Sequence, residues 1–321
     1  MSGPAALNRT PRIMNQVLLA LLPGMLALTW YFGPGVLVNV VVCVAAAIGT
    51  EALILSARRL PLTPLTDRSA VVTGTLLGLC LPPLLPLWMV VAGTVFAMIF
   101  GKHLYGGLGH NPFNPAMVGY AMMIVSFPLA MSLWPAAGTH QFIPDLAGYK
   151  LGVPVADGVS SATPLTAFKF RGGATVAEFF RSSPAMTSFA GEGWQIVNLA
   201  FLAGGLYLAL RRLCDWIMPL AMLTALAVLA VAFYDGGSSR SLGSPLFHWF
   251  SGATMMAAFF IVTDPVTSPD GVVGRVVFGA GVGVLVFVIR SMGAYPDGIA
   301  FAVLLMNATA PFLDQVRWRW T

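Results

Sequence analysis

The sequence predicts an all-α membrane protein with about ten transmembrane helices. Hydrophobic residues make up 57% of its 321 residues and charged residues only 9%, and the mean hydropathy is +0.82. A soluble domain carries about a quarter charged residues, because water must wet its surface. A chain with so few charges has no such surface unless lipid covers it, and its apolar runs recur along nearly the whole length.

Each predicted helix is an apolar run, and a span needs about 20 mainly apolar residues, or fewer where a helix is short or broken. The third and eighth runs are short and contain or adjoin glycines and prolines. The first run leads straight into further runs without a cleavage site, which favours a first helix over a removed signal. The predicted helices cover residues 16–32, 35–57, 70–82, 86–101, 113–133, 195–211, 216–233, 247–263, 273–290 and 297–314.

The distribution of lysine and arginine predicts the orientation, because short cytoplasmic loops carry an excess of both. With the N-terminus in the cytoplasm, 11 of these residues are inside and 6 outside, and four of the six lie in the long loop from about 134 to 194. Long loops largely escape the rule, so the count for short loops is 11 to 2. Both termini are therefore expected in the cytoplasm, with the long loop on the other side.

The two halves show a weak internal similarity. Thr-Gly-Thr-Leu-Leu at residues 73–77, ahead of Pro82, resembles Ser-Gly-Ala-Thr-Met at residues 251–255, ahead of Pro265. Two repeats of five spans have opposite orientations, so the sequence predicts an inverted repeat with broken helices at its centre. The predicted regions are a first repeat (1–133), the long loop (134–194) and a second repeat (195–321). Chance similarity between Gly- and Ala-rich membrane segments is the alternative.

Several classes of function are not indicated. The pI of 9.4 could suggest nucleic acid, but no basic stretch is interleaved with aromatic residues. Cys43, Cys80 and Cys214 lie far apart, which predicts neither an iron–sulfur nor a zinc site. The four histidines show no ligand spacing, so a metal site is not expected.

The long loop contains the stretch Asp-Gly-Val-Ser-Ser-Ala-Thr-Pro-Leu at residues 157–165. Asp-Gly favours a turn, and Pro164 restricts Thr163 to an extended conformation. A threonine held in this way among small neighbours exposes its hydroxyl to an enzyme that must reach it. Any surface loop could expose a hydroxyl equally well.

Residues 157–163 resemble the signal Asp-x-x-Ser/Thr-Gly/Ser-Ala-Thr, at which a flavin transferase joins FMN to threonine, with Ser161 where Gly is commoner. Residues 106–117 resemble the Gly-Gly-x-Gly-x-Asn-x-Phe-Asn-Pro-Ala stretch of the RnfD/NqrB family. Residues 263–267 and 295–307, and the short N-terminal region, are closer to the RnfD branch. The resemblance covers nearly the whole chain, in order.

The resemblance implies two flavins. FMN would be linked to Thr163 by a phosphoester, with Asp157, Ser160, Ser161 and Ala162 completing the attachment motif. A second, non-covalent flavin, riboflavin, would contact Asn111, Phe113 and Asn114. For the two asparagines, capping the start of the fifth helix is the structural alternative.

Thr254 follows Ser-Gly-Ala and is a rival to Thr163 for the flavin linkage. His248 stands where the motif requires aspartate, and an apolar helix follows directly. A soluble transferase could hardly reach that position, so Thr163 is the predicted site of attachment.

The resemblance also implies a fold like that of urea and ammonium channels and a place in a bacterial inner membrane, with the long loop periplasmic. The chain would be one component of an Rnf complex, which exchanges electrons between ferredoxin and NAD⁺ and moves Na⁺ or H⁺; it would not be a complete enzyme. Its partners would be lipid, the A, B, C, E and G components of that complex, and the flavin transferase. The alternatives are an NqrB-like component of a quinone reductase and a non-redox channel for a small solute.

Three carboxylates are candidates for the ion path, because ionisable residues inside a membrane are expensive and often functional. Glu51 is the only carboxylate well inside an apolar run, and binding a structural partner is the alternative to a place on the ion path; Arg58 and Arg59 are near enough in sequence for Glu51 to reach the interface. Asp264 follows the eighth helix and Asp297 opens the tenth, where capping a helix end is the alternative role.

Overall fold

A computed structural model describes residues 10–138, 145–156, 158–183, 186, 189–295 and 297–316 of the chain. In these residues the structure has fifteen α-helices and one antiparallel pair of two-residue strands. In chain order they are α1 Thr10–Phe32, α2 Gly35–Ala57, α3 Ser69–Cys80, α4 Leu87–Phe96, α5 Pro115–Ser126, α6 Pro128–Ser132, β1 Trp134–Pro135, α7 Leu146–Leu151, β2 Ser160–Ser161, α8 Pro164–Lys169, α9 Val176–Ser182, α10 Trp194–Leu210, α11 Ile217–Ala232, α12 Pro245–Phe250, α13 Thr254–Met256, α14 Val272–Met292 and α15 Ile299–Gln315.

Each of the ten apolar runs contains a helix or two successive helices, which confirms the all-α prediction. The run at 113–133 divides into α5 and α6, and the run at 247–263 divides into α12 and α13. A π-helical turn continues α4 over Ala97–Lys102, and another continues α13 over Ala257–Ile261. Thr10–Phe32, Gly35–Ala57, Leu87–Tyr105 and Val272–Met292 are long and apolar enough to cross a membrane, and five shorter helices are apolar.

The surface of the long helices is apolar as well as their buried side. Leu26 and Trp30 of α1 are each 64% exposed, and Leu53 of α2 is 70% exposed. Large apolar side chains in such numbers are unstable against water and stable against lipid tails. The chain is a multi-pass membrane protein.

The described helices form two compact units. The first comprises Met1–Pro135 and Thr139–Ser161, and the second comprises Ala136–Gly138 and Ala162–Thr321. The predicted long loop is therefore shared, because α7 and β2 belong to the first unit and α8 and α9 to the second. The inverted relation between the two halves stays a prediction.

In the first unit, α3 packs closely on α2 through glycines four residues apart. A Cβ on Gly74 would lie 2.8 Å from the Cα of Val44, and one on Gly78 would lie 2.7 Å from the Cα of Val40. Small residues at this spacing let two helix backbones approach within a membrane, where packing rather than the hydrophobic effect drives association.

In the second unit, α14 packs on α11 by the same means. A Cβ on Gly279 would lie 2.5 Å from the carbonyl oxygen of Met218, and one on Gly283 would lie 2.3 Å from that of Met222. Both glycine pairs can be read from the sequence, but their partners are set by the fold.

Each unit contains an interrupted helix, at different places in the two similar stretches. Residues 73–77 lie within the unbroken helix α3, and the first unit unwinds only after Cys80, over residues 81–86, where three prolines lack a backbone N–H. Residues 251–253 are themselves the break between α12 and α13, with Gly252 at φ 61°. The similarity of sequence at these stretches is not matched by their local conformation.

Replacing Gly78 by alanine is expected to destabilise the protein by about 1–3 kcal/mol, because the new methyl group meets backbone that cannot move aside. Thermal unfolding of the detergent-solubilised protein, followed by circular dichroism, measures the change. Gly49→Ala in α2 is the control, because a Cβ there has no atom within 4 Å. Equal unfolding temperatures for the two variants would contradict the close packing of α3 on α2.

Candidate functional site

Thr163, the predicted flavin-attachment residue, is the N-cap of α8. Its backbone is extended, at φ −65° and ψ 155°, as the following proline requires. Its hydroxyl oxygen accepts a hydrogen bond from the backbone N–H of Thr166 at 3.3 Å and lies 2.9 Å from the Thr166 hydroxyl. The side chain is half-buried and the preceding Ala162 is exposed. The hydroxyl is thus held in place at the surface of its unit.

The other residues of the attachment motif lie in or near the short strand pair. Ser160 and Ser161 form β2 and pair with Pro135 and Trp134 of β1 in the first unit. Asp157 lies outside the described residues.

Helix α8 is fixed by an apolar cluster beneath it. Leu165 and Phe168 of α8 are buried against Phe179, Met186 and Phe247. The ring of Phe168 lies 4.5 Å from that of Phe247. A six-residue helix has little stability of its own, so this packing determines where Thr163 stands.

Two basic residues fix the C-terminal end of α8 through hydrogen bonds to backbone carbonyls. Lys169 donates to the carbonyl oxygens of Arg290, Gly293 and Tyr295, at 3.2 Å for the first and 3.0 Å for the last. Arg171 lies over the Phe168 ring, 4.1 Å from its centroid, and donates to four carbonyls. Burial lowers the pKa of Lys169.

Thr254, the rival for the linkage, is fully buried in the second unit. Its hydroxyl donates to the carbonyls of His248 at 2.8 Å and Ser251 at 2.9 Å, and it accepts from Arg290 at 2.9 Å. Its oxygen is out of reach of a soluble enzyme and already bonded on both sides.

Of the two asparagines in the glycine-rich stretch, Asn114 caps the helix, as the structural alternative predicts. Its side chain accepts from the N–H of Met117 at 3.2 Å, at the start of α5. Asn111 instead donates to the carbonyl of Phe113 at 3.1 Å. Its Oδ1 is buried and has no hydrogen-bond partner among the described residues. Asn111 therefore presents an unused acceptor in the stretch where the second flavin is predicted.

Glu51 does not pair with Arg58 or Arg59, which are exposed beyond its helix. It is 1% exposed, and its Oε1 lies 2.6 Å from the ammonium of Lys102. Lys102 also donates to the hydroxyl of Ser69 at 2.7 Å. The buried ammonium of Lys102 stabilises the Glu51 carboxylate more than an exposed arginine would, because little water screens the buried pair.

A buried asparagine and a lysine from the loop hold the unwound segment of the first unit. Asn39 is fully buried and donates to the carbonyls of Leu81 at 3.3 Å and Pro82 at 2.9 Å. Lys150 of α7 donates to Asn39 Oδ1 at 2.5 Å and to the carbonyl of Leu85 at 3.1 Å. Burial lowers the pKa of Lys150 to about 8.

An asparagine also holds the break in the second unit. Asn198 is fully buried and donates to the carbonyls of Phe250 at 3.1 Å and Gly252 at 2.9 Å. Its oxygen accepts from the N–H of Met255 at 3.1 Å. One amide side chain thus satisfies backbone groups on both sides of the interruption.

Arg290 completes this arrangement in the second unit. Its guanidinium donates to the carbonyl of His248 at 3.0 Å and pairs with Asp297 at 3.1 Å. Asp297 also accepts weakly from the N–H of Ile299, near the start of α15, at 3.4 Å. Asp264 accepts from the N–H of Val266 at 3.1 Å, in the turn after the π-helical segment. Asp297 thus lies next to the start of α15, as its alternative role at a helix end predicts, whereas the Asp264 hydrogen bond lies in a turn.

The sequence pattern of the NQR2, RnfD, RnfE family matches residues 5–319. The chain belongs to this family. It is 52% identical to the D component of the ion-translocating oxidoreductase complex of Ectopseudomonas mendocina, over 96% of this chain and 90% of that protein. It is 49% identical to the protein of the same name from Cellvibrio japonicus, over 96% and 89% of the two chains, and 44% identical to that from Vibrio vulnificus, over 98% and 96%.

In this member of the family, sequence reasoning missed several buried polar residues, Arg290 among them. Lys102, Lys150, Asn39 and Asn198 were not singled out, although each is at most 5% exposed. The asparagines gave a signal, since an amide within an apolar run must find a partner. The lysines gave none, because Lys102 follows a predicted helix like an ordinary end charge and Lys150 lies in the predicted polar loop.

Replacing Arg290 by methionine is expected to destabilise this family member by about 3 kcal/mol, because Asp297 and the carbonyls at the helix break lose their donor. Thermal unfolding in detergent measures the loss. Arg240→Met is the control, since Arg240 is exposed. A loss of stability no larger than in the control would contradict the role of Arg290 at the break.

Proposed function

We propose that the chain is the D component of an Rnf-type ion-translocating oxidoreductase complex and carries electrons through the membrane on flavins. The observation that carries the proposal is the 52% identity with proteins named as this component, over 96% of the chain. Its expected partners are the other components of that complex, which are taken to be A, B, C, E and G, and a flavin transferase that matures it. The chain is one part of the complex rather than a complete enzyme.

Thr163 is the proposed attachment point of FMN, through a phosphoester to its hydroxyl. The residues fit this role, because the hydroxyl is half-buried in an extended segment next to exposed Ala162. Its rival Thr254 is buried and hydrogen-bonded by three groups. Bound FMN would supply the one-electron and two-electron redox chemistry that protein side chains lack.

The protein's own part at this position is to hold the ester linkage still. Leu165 and Phe168 anchor α8 by burial, and Lys169 ties its end to three carbonyls. Fixed placement matters because a carrier on a mobile loop would vary in its distance to any donor or acceptor.

The stretch from Gly106 to Asn114 is the proposed site of the second flavin, riboflavin. The buried Oδ1 of Asn111 would accept from a polar edge of that ring, and Phe113 would contact its face. Asn114 would support the site indirectly, because it caps α5.

The proposed setting is a bacterial inner membrane, with both termini cytoplasmic and the long loop periplasmic. Electron transfer between ferredoxin and NAD⁺ in the complex would be coupled to movement of Na⁺ or H⁺. Glu51, Asp264 and Asp297 are the proposed contributors to the ion path. Glu51 belongs to the first unit and the two aspartates belong to the second.

Replacing Thr163 by alanine is expected to abolish covalent flavin. The wild-type chain, co-expressed with the flavin transferase, would give a fluorescent band on a denaturing gel, and the variant band would be dark. Thr175→Ala is a matched control, because Thr175 is the N-cap of the neighbouring loop helix α9. Each variant loses a cap worth about 1 kcal/mol, so only the linkage distinguishes them.

A dark wild-type band would refute covalent attachment of flavin to this chain. A fluorescent band that survives Thr163→Ala would instead place the linkage at another residue.

Replacing Asn111 by leucine is expected to remove the non-covalent flavin, because the ring would lose its acceptor. Extraction with denaturant followed by chromatography measures the released riboflavin, while the gel band reports FMN. Thr163→Ala is the reciprocal control, expected to keep riboflavin and lose FMN. Undiminished riboflavin in Asn111→Leu would exclude Asn111 from the site.

A further inference from the structure

The buried cluster around Glu51 contains two polar atoms that the ion pair leaves unused. Its members are 1–7% exposed: Glu51 of α2, Ser69 of α3, and Lys102 and His103 beyond α4. Glu51 Oε2 and His103 Nε2 have no hydrogen-bond partner among the described residues. Buried polar atoms are rarely left unpaired, so these two are candidates to bind a further species.

We propose that His103 and Glu51 form a proton-binding site whose occupancy follows the redox state of the second flavin. Nε2 of His103 takes up the proton, and the Glu51 carboxylate, 3.5 Å away, stabilises the resulting imidazolium. The cluster then changes from a neutral set, in which Lys102 balances Glu51, to a net charge of +1. This inference rests on the proposed flavin in the stretch from Gly106 to Asn114.

The geometry favours a proton over Na⁺ at this site. The ammonium of Lys102, 2.6 Å from Glu51 Oε1, already occupies the cation position on the carboxylate. A metal cation on Oε2 would be repelled by that ammonium at close range and with little screening. Hard cations also take oxygen ligands, whereas the other unused atom is an imidazole nitrogen.

Other charged groups near the cluster are engaged elsewhere or exposed. Asp67 accepts from the N–H of Ser69 at 2.7 Å, and Arg68 donates to the side chain of Asn15. Arg58 and Arg59 are exposed beyond α2, and His110 is exposed in the glycine-rich turn. The proton is therefore assigned to the His103–Glu51 pair.

The cluster is joined through the backbone to the proposed flavin stretch. The carbonyl of Lys102 accepts from the N–H of Gly107 at 3.1 Å, and that of His103 accepts from Gly106 at 3.2 Å. The two glycines have φ of 104° and 111°, a conformation that few other residues adopt. The residues that bind the proton thus also shape the turn that leads to Asn111.

This proximity couples reduction of the flavin to proton binding at His103. Bound flavin, on receiving one electron from a ferredoxin-type donor, would carry an added negative charge, and one proton taken from the solvent would give His103 a positive charge. Each charge stabilises the other in a region where screening is weak, and both are released when the electron moves on.

The test compares proton uptake by the purified wild-type complex with that by His103→Gln. Both are reduced electrochemically in weak buffer, so that no chemical reductant releases protons, and a pH-indicator dye reports uptake. His103→Gln is expected to take up about one proton fewer per complex, because glutamine lacks a basic nitrogen. His140→Gln is the control, because residue 140 belongs to the predicted long loop and not to the proposed flavin stretch, and its uptake is expected to equal that of the wild type.

A second variant tests the same site in case His103→Gln does not fold. Glu51→Gln combined with Lys102→Gln removes both charges together, so neither is left buried alone. It is expected to lower proton uptake as His103→Gln does, because the imidazolium loses its carboxylate. Wild-type uptake in either variant would overturn the proposal.

Failure of the flavin proposal would be recognised separately, by extracting non-covalent flavin from every preparation. If the wild type holds none, the proton site is judged by infrared difference spectra as pH is lowered from about 8 to about 5, where imidazoles ordinarily gain charge. Loss of an imidazolium signal in His103→Gln would support a proton site without flavin coupling. Identical spectra for the wild type and His103→Gln would overturn the site itself.

Discussion

Backbone polar groups inside an apolar medium must be hydrogen-bonded by the protein itself, and this constraint governs both units. Helices meet it internally, but residues 81–86 and 251–253 are not helical. The carbonyls of these segments have no water to accept from and would each cost several kcal/mol if left unpaired. Fully buried Asn39 and Asn198 supply the missing donors, one in each unit.

Each asparagine works beside a buried cation that reaches the same segment. Lys150 joins Asn39 in the first unit, and Arg290 lies at the break held by Asn198 in the second. A cation can donate several hydrogen bonds at once, which suits a group of carbonyls whose N–H partners were lost with the helix. The helix breaks are thereby fixed structures, and the loop helix that carries Lys150 is fixed with them.

Single basic residues also hold the segments that carry the proposed chemistry. Lys169 ties the helix that begins at Thr163 to carbonyls at the end of α14. On the other unit, Lys102 pairs with Glu51 through its side chain and closes the glycine-rich turn through its carbonyl. In both cases one basic residue holds a segment with a proposed function against neighbouring helices.

Most of the fold could be predicted from local sequence. Apolar runs placed all ten helical regions, and the extended backbone of Thr163 followed from Pro164 alone. The cap formed by Asn114 was also predictable, because a cap depends on residues within one turn. The partner of Glu51 was not predictable, because Lys102 follows a different apolar run, whereas Arg58 and Arg59 are the nearest basic residues in sequence.

The sequence by itself determined the membrane class and the helices, because each depends on neighbours within a few residues, and its resemblance to a flavin-attachment motif led to the proposal for Thr163. Only the tertiary structure decided which polar groups meet. Glu51 and Lys102 are 51 residues apart, and Asn39 and Lys150 are 111 apart. Such pairs are selected by the close packing of helices, in which burial makes an unpaired charge or amide too costly to leave alone.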